Sequence, residues 1–102
     1  GIAAAPDGSL LVIDQNDTDP RTAGGKLWRV VPASGDITEF TTSIDATGWI
    51  APNDATFDSA GRLYVADPGR NEVWRFEADG SGGAPWFVPP QPDANAVVSA
   101  AP

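Results

Sequence analysis

The residues best suited to chemistry lie in the middle of the chain, in Trp49-Ile50-Ala51-Pro52-Asn53-Asp54. An asparagine carbonyl beside a carboxylate offers the hard oxygen donors that Ca²⁺ prefers, and the aspartate either binds the ion or orients the first ligand. Asn53 and Asp54 are therefore candidate ligands for Ca²⁺ or another divalent cation. The same pair directly after Pro52 also suits an Asx turn, in which a side-chain oxygen accepts a backbone amide two residues on. A second polar run, Asp14-Gln15-Asn16-Asp17-Thr18-Asp19, alternates acidic and amide oxygens like the start of a calcium loop. Asp14, Asn16, Asp17 and Asp19 are accordingly peripheral metal candidates. The run lacks the glycine and distal glutamate of an EF-hand, so a solvated, Asx-rich loop is the competing reading. Asn16-Asp17-Thr18 is also a formal N-glycosylation sequon.

Other chemistries are excluded by what the sequence lacks. With no histidine, the commonest general base near pH 7 is missing, and with no cysteine there is neither a disulfide framework nor a thiolate zinc site. No serine sits in a nucleophile elbow. Gly80-Ser81-Gly82-Gly83 has the composition of a phosphate cradle, but it falls between two strand-like runs and reads as a flexible hairpin. Arg62 and Arg70 read as surface residues. Fourteen acidic against six basic residues give a net charge of −8, which repels phosphate backbones and anionic lipid, so neither nucleic acid nor a membrane surface is an expected partner. No run approaches the ~18 apolar residues of a membrane span. An acidic, cysteine-free, Asp/Thr/Gly/Pro-rich composition suits an extracellular or periplasmic protein.

The elements that must position the candidate pair emerge from an internal repeat. Ile2 to Asp14 matches Ala55 to Asp67 at an offset of 53, with Gly8/Gly61, Leu10/Leu63 and Asp14/Asp67 in step. Lys26-Leu27-Trp28-Arg29-Val30 matches Glu72-Val73-Trp74-Arg75-Phe76 at an offset of 46. The difference is a seven-residue excess confined to the polar stretch 15–25 of the first copy, where a surface loop tolerates it. Each copy predicts four short strands: Ile2 to Ala5, Leu10 to Ile13, Lys26 to Val31 and Ile37 to Thr42, then Ala55 to Asp58, Leu63 to Ala66, Glu72 to Glu77 and Trp86 to Val88. No stretch carries helical periodicity over the length a helix needs.

The expected fold class is all-β, a β-propeller fragment of two four-stranded blades from a six-bladed ring. Residues 1–48 form the first blade with its long loop, 49–90 the second, and 91–102 begin the innermost strand of a third, with Ala96-Val97-Val98 placed on Ala55-Thr56-Phe57. Trp28, Phe40, Phe57, Tyr64, Trp74, Phe76, Trp86 and Phe87 are expected to pack blade against blade. Two blades cannot close a ring. The expected partners are the remaining blades, supplied by further sequence of a longer polypeptide or by other copies of the chain. The start of the second blade's innermost strand, at Asn53-Asp54, then opens on the central channel.

The string Pro52-Asn53-Asp54-Ala55-Thr56-Phe57-Asp58-Ser59-Ala60-Gly61-Arg62-Leu63-Tyr64-Val65 resembles the N-D-x-x-x-D-x-x-G-x-L-W/Y-V blade of the SMP-30/gluconolactonase/LRE-like family. The resemblance implies a six-bladed propeller with a divalent metal, often Ca²⁺, in the channel, and hydrolysis of lactones or related esters. It makes Asn53 and Asp54 counterparts of residues at that central site and gives Asp58, Gly61 and Leu63 structural roles. The first copy departs from the pattern, with Gly1 where the second has Asp54. Leu63 to Phe76 is equally similar to NHL-type repeats, which implies the alternative of a non-catalytic propeller that binds a protein, peptide or glycan.

Overall fold

The computed structural model describes residues 1–15 and 25–88. They form eight strands: β1 (Ile2–Ala4), β2 (Leu10–Asp14), β3 (Lys26–Val31), β4 (Asp36–Glu39), β5 (Asp54–Phe57), β6 (Leu63–Asp67), β7 (Glu72–Phe76) and β8 (Ala84–Phe87). These assemble as two four-stranded antiparallel meanders, β1-β2-β3-β4 and β5-β6-β7-β8, with no helix among the described residues. The all-β expectation holds.

Alternation of side chains along each strand gives each sheet two faces. Register places Ala3 opposite Leu11, and Ile13 opposite Leu27, on one face of the first sheet. In the second sheet Ala55, Val65 and Trp74 align, as do Phe57, Leu63 and Phe76. These two faces meet, and the core between them contains Leu11, Ile13, Leu27, Ala55, Leu63, Val65, Trp74 and Phe76. Trp49, from the connector between the sheets, completes it with an edge-on contact to Phe76 at 5.7 Å between ring centroids. The innermost strands β1 and β5 lie side by side across the sheets. Tyr64, Ala66 and Val73 form a second cluster on the far face of β6 and β7, where Trp86 meets the Tyr64 ring at 4.9 Å. β6 is buried along its whole length as a result.

The aromatic expectations divide. Tyr64, Trp74 and Phe76 are buried, and Trp28, Phe40, Phe57 and Trp86 are half-buried, but Phe87 is exposed near the end of β8. The outermost strands also differ from expectation. β4 stops at Glu39 because the chain turns away after Phe40 to reach the other sheet, and Ser43 donates its amide to the Gly80 carbonyl. β8 begins earlier, at Ala84, and pairs with β7 through a bulge between Val73 and Trp74. Pro85 within it is tolerated because β8 is an edge strand.

Candidate functional site

Asn53 immediately precedes β5, and its backbone amide donates to the Ala66 carbonyl at 3.1 Å, extending the β5–β6 pairing by one residue. Its side-chain Oδ1 is buried and has no hydrogen-bond partner. A buried amide oxygen left unpaired costs about 1–3 kcal/mol, so such an atom calls for an explanation. The Asx turn does not supply one. The Ala55 amide, which an Asn53 turn would engage, goes instead to Asp54 Oδ1 at 2.9 Å. Asp54 opens β5 and is exposed. Gly1 lies against both residues. A Cβ built on it would stand 2.9 Å from the Asn53 carbonyl oxygen and 2.9 Å from Asp54 Oδ1, so a glycine at the counterpart of Asp54 lets the two inner strands converge. The pair therefore sits at one end of the inner strands, where β1 and β5 run together.

Sequence reasoning missed how this position is held. Asp67, at the end of β6 and fully buried, accepts the amides of Ile50 at 2.8 Å, Ala51 at 2.9 Å and Arg70 at 3.2 Å. One carboxylate thus fixes the two residues that lead into Pro52 and Asn53 and ties them to the turn after β6. Arg70 holds the same connector further upstream. It makes a bidentate pair with Asp45, at 3.0 and 2.7 Å, and donates to the Gly48 carbonyl at 2.9 Å and to Glu72 at 2.9 Å. Its guanidinium lies over the Trp74 ring, 5.2 Å from the centroid. With a side chain 8% exposed, Arg70 is no surface residue, which corrects the sequence expectation. Burial alone would lower its pKa, but hydrogen bonds and charge from Asp45 and Glu72 outweigh that and raise it. The bonds from Arg70 hold the Asp45 carboxyl below its ordinary value.

The remaining sequence candidates separate from this site. Asp14 ends β2, exposed, in register with Lys26. Asn16, Asp17 and Asp19 lie outside the described residues, as do residues 96–98, the expected start of a third blade. Asp58 does the structural work expected of it. Its side chain, with no exposed surface, accepts from the amides of Ala60 and Arg62, from Arg62 Nε at 2.8 Å and from the Tyr64 hydroxyl at 2.9 Å. Arg62 itself remains partly exposed. Gly61 completes that turn at a φ of 84°, and Gly8 occupies the matching turn of the first sheet at 89°, a backbone region where glycine carries no steric cost. Gly80 and Gly83 are not a ligand cradle. A Cβ on Gly83 would meet the Phe76 ring and the Ser43 hydroxyl, and Ser43 Oγ accepts the Gly83 amide at 2.6 Å. These glycines admit the connector.

Among the described residues no three Asp or Glu side chains converge as a metal-binding group. An open cleft of about 410 Å³ between the sheets, walled by Leu11, Phe40 and Phe57, lies at the other end of β5 from Asn53.

No protein-family model matches the chain, and no curated protein matches it significantly. Among solved structures, the selenomethionine-substituted virginiamycin B lyase from Staphylococcus aureus, a β-propeller, superposes on 91% of this chain with a TM-score of 0.60 at 23% identity. The fold is that of two neighbouring propeller blades. The chain spans 28% of that protein's length. The inner strands β1 and β5 are the neighbouring strands of the two blades, and Asn53-Asp54 stands at the start of the second.

Proposed function

We propose that Asn53 and Asp54 contribute oxygen ligands to a divalent-cation site in the channel of a completed propeller, and that the ring hydrolyses lactones or related esters. The observation that carries this reading is the buried, unpartnered Asn53 Oδ1 at the start of β5. A cation gives that oxygen the partner that the protein withholds, and amide oxygens are ordinary Ca²⁺ ligands. A cation held there would supply Lewis-acid chemistry, polarising a carbonyl oxygen and lowering the pKa of water.

The residues of this chain hold and orient. Asn53 presents one neutral oxygen, Asp54 supplies negative charge beside it, and Asp67 with Arg70 fixes the backbone from which both project. Ca²⁺ takes 6–8 oxygens, so two blades furnish a minority of the shell and the others supply the rest, together with the general base. The name of the structural neighbour, a lyase acting on virginiamycin B, makes elimination the second chemistry to assay. A non-catalytic, NHL-like ring is the alternative if no cation binds.

The test is Ca²⁺ titration calorimetry on the completed ring, with product analysis on lactone and ester substrates. Asn53→Ala is expected to weaken Ca²⁺ binding on the order of 10- to 100-fold, with chelation abolishing turnover. Unchanged affinity in Asn53→Ala removes Asn53 from the site. Products bearing a new double bond in place of added water would assign the ring to elimination.

A further inference from the structure

The face of the first sheet turned away from the second carries apolar residues from all four strands. Ile2, Val12 and Trp28 stand in register on it, as do Ala4, Leu10, Val30 and Ile37. Ile2 is 66% and Ile37 64% exposed. At the repeat offsets of 53 and 46, Ile2, Leu10, Val12, Trp28 and Val30 are the counterparts of Ala55, Leu63, Val65, Trp74 and Phe76. Those five are the residues with which the second sheet is buried against the first. The exposed face thus repeats the residue pattern of a face already engaged with a blade.

A second observation is independent of that apolar pattern. Asp14 occupies the place in the first sheet that Asp67 occupies in the second. Asp67 is buried because it binds two amides of the connector that enters its own blade, those of Ile50 and Ala51. Asp14 is exposed. The counterpart connector would be a stretch running directly into β1, as residues 43–53 run into β5.

We propose that this face seats a preceding blade of the same polypeptide, whose connector amides bind Asp14. The occupant presents small aliphatic residues, as Ala3, Leu11, Ile13 and Leu27 do toward the second sheet. Asp14 is then a connector clasp and not a calcium ligand. The inference holds whether or not the channel binds a cation.

The experiment is a tandem protein in which residues 1–53 precede the full chain, so that the added Asn53 runs into Gly1 as it ordinarily runs into Asp54. Hydrogen exchange at the added Ile50 and Ala51 is expected to be slowed to the level of the internal pair, and Asp14→Ala or Asp14→Asn in the downstream unit to release it. Binding of a hydrophobic dye per molecule should match that of the 102-residue chain, because docking covers one such face and adds one. Fast exchange at the added amides with dye binding at least doubled overturns the proposal. So does a discrete oligomer of the 102-residue chain that Val12→Lys dissociates, since a second copy would then be the occupant.

Discussion

The Asp67 carboxylate accepts the Ala51 amide at 2.9 Å across sixteen residues of sequence, and this bond ties the entry of the second blade to the end of its second strand. Removing the acceptor strands the buried Ala51 amide and the partly buried Ile50 amide. Asp67→Ala is therefore expected to lower unfolding stability by about 2–4 kcal/mol, because orphaned buried donors carry their full desolvation cost. Denaturant unfolding followed by tryptophan fluorescence checks this. A loss below ~0.5 kcal/mol would show that water replaces the carboxylate.

Acid should act through Asp58. Burial raises its pKa, but the amides of Arg62 and Ala60, the Tyr64 hydroxyl and the Arg62 guanidinium outweigh it, leaving the carboxyl below the ordinary 3.8. The folded state thus binds the proton less readily than the unfolded chain. The stabilisation is fully present above the unfolded value and is lost as pH falls below 3.8 through the folded one. The stability difference between the protein and Asp58→Asn should be constant from pH 7 to about pH 5 and shrink below about pH 4. A difference that grows on acidification would reverse the assignment. Asp7 and Asp79 shift downward too, through their bonds to Ser9 and Ser81, but both are exposed and solvent mutes their contribution.

At Gly83 the expected effect is steric. A methyl group there meets Phe76 and the Ser43 hydroxyl, so Gly83→Ala should cost about 1–3 kcal/mol as an overpacking change. Combining it with Ser43→Gly, which removes one of the two obstacles, should recover part of the loss. Thermal melts of the two single variants and the double variant read this directly, and strict additivity would place the strain elsewhere.

The repeat made the fold legible. Two copies in step at Gly8/Gly61 and Leu10/Leu63 fix strand number, order and turn chemistry, because each turn demands a residue free to take positive φ. Asn53 and Asp54 were legible as oxygen donors beside a strand start. The sequence carried no signal for Arg70, whose burial depends on the path of a connector that brings Asp45 and Gly48 to it. Nor did it mark Asp67. Its partners are backbone amides, which have no side-chain type to recognise, so the match with Asp14 showed equivalence without showing the role. Trp49 belongs to the core for the same reason, being carried there by a segment without strand periodicity.

The connector is bound throughout by the blade it enters. Ser43 is fastened to Gly80 and Gly83, Asp45 and Gly48 to Arg70, Ile50 and Ala51 to Asp67, and Asn53 to Ala66. The unit that evolution can shuffle is accordingly offset from the visible sheet, beginning near Ser43 and not at the first residue of β5. Recombination that cut at the strand boundary would strand Asp67 and Arg70 without their partners, whereas a crossover just after Phe40 would carry the connector and its clasps together into a new ring.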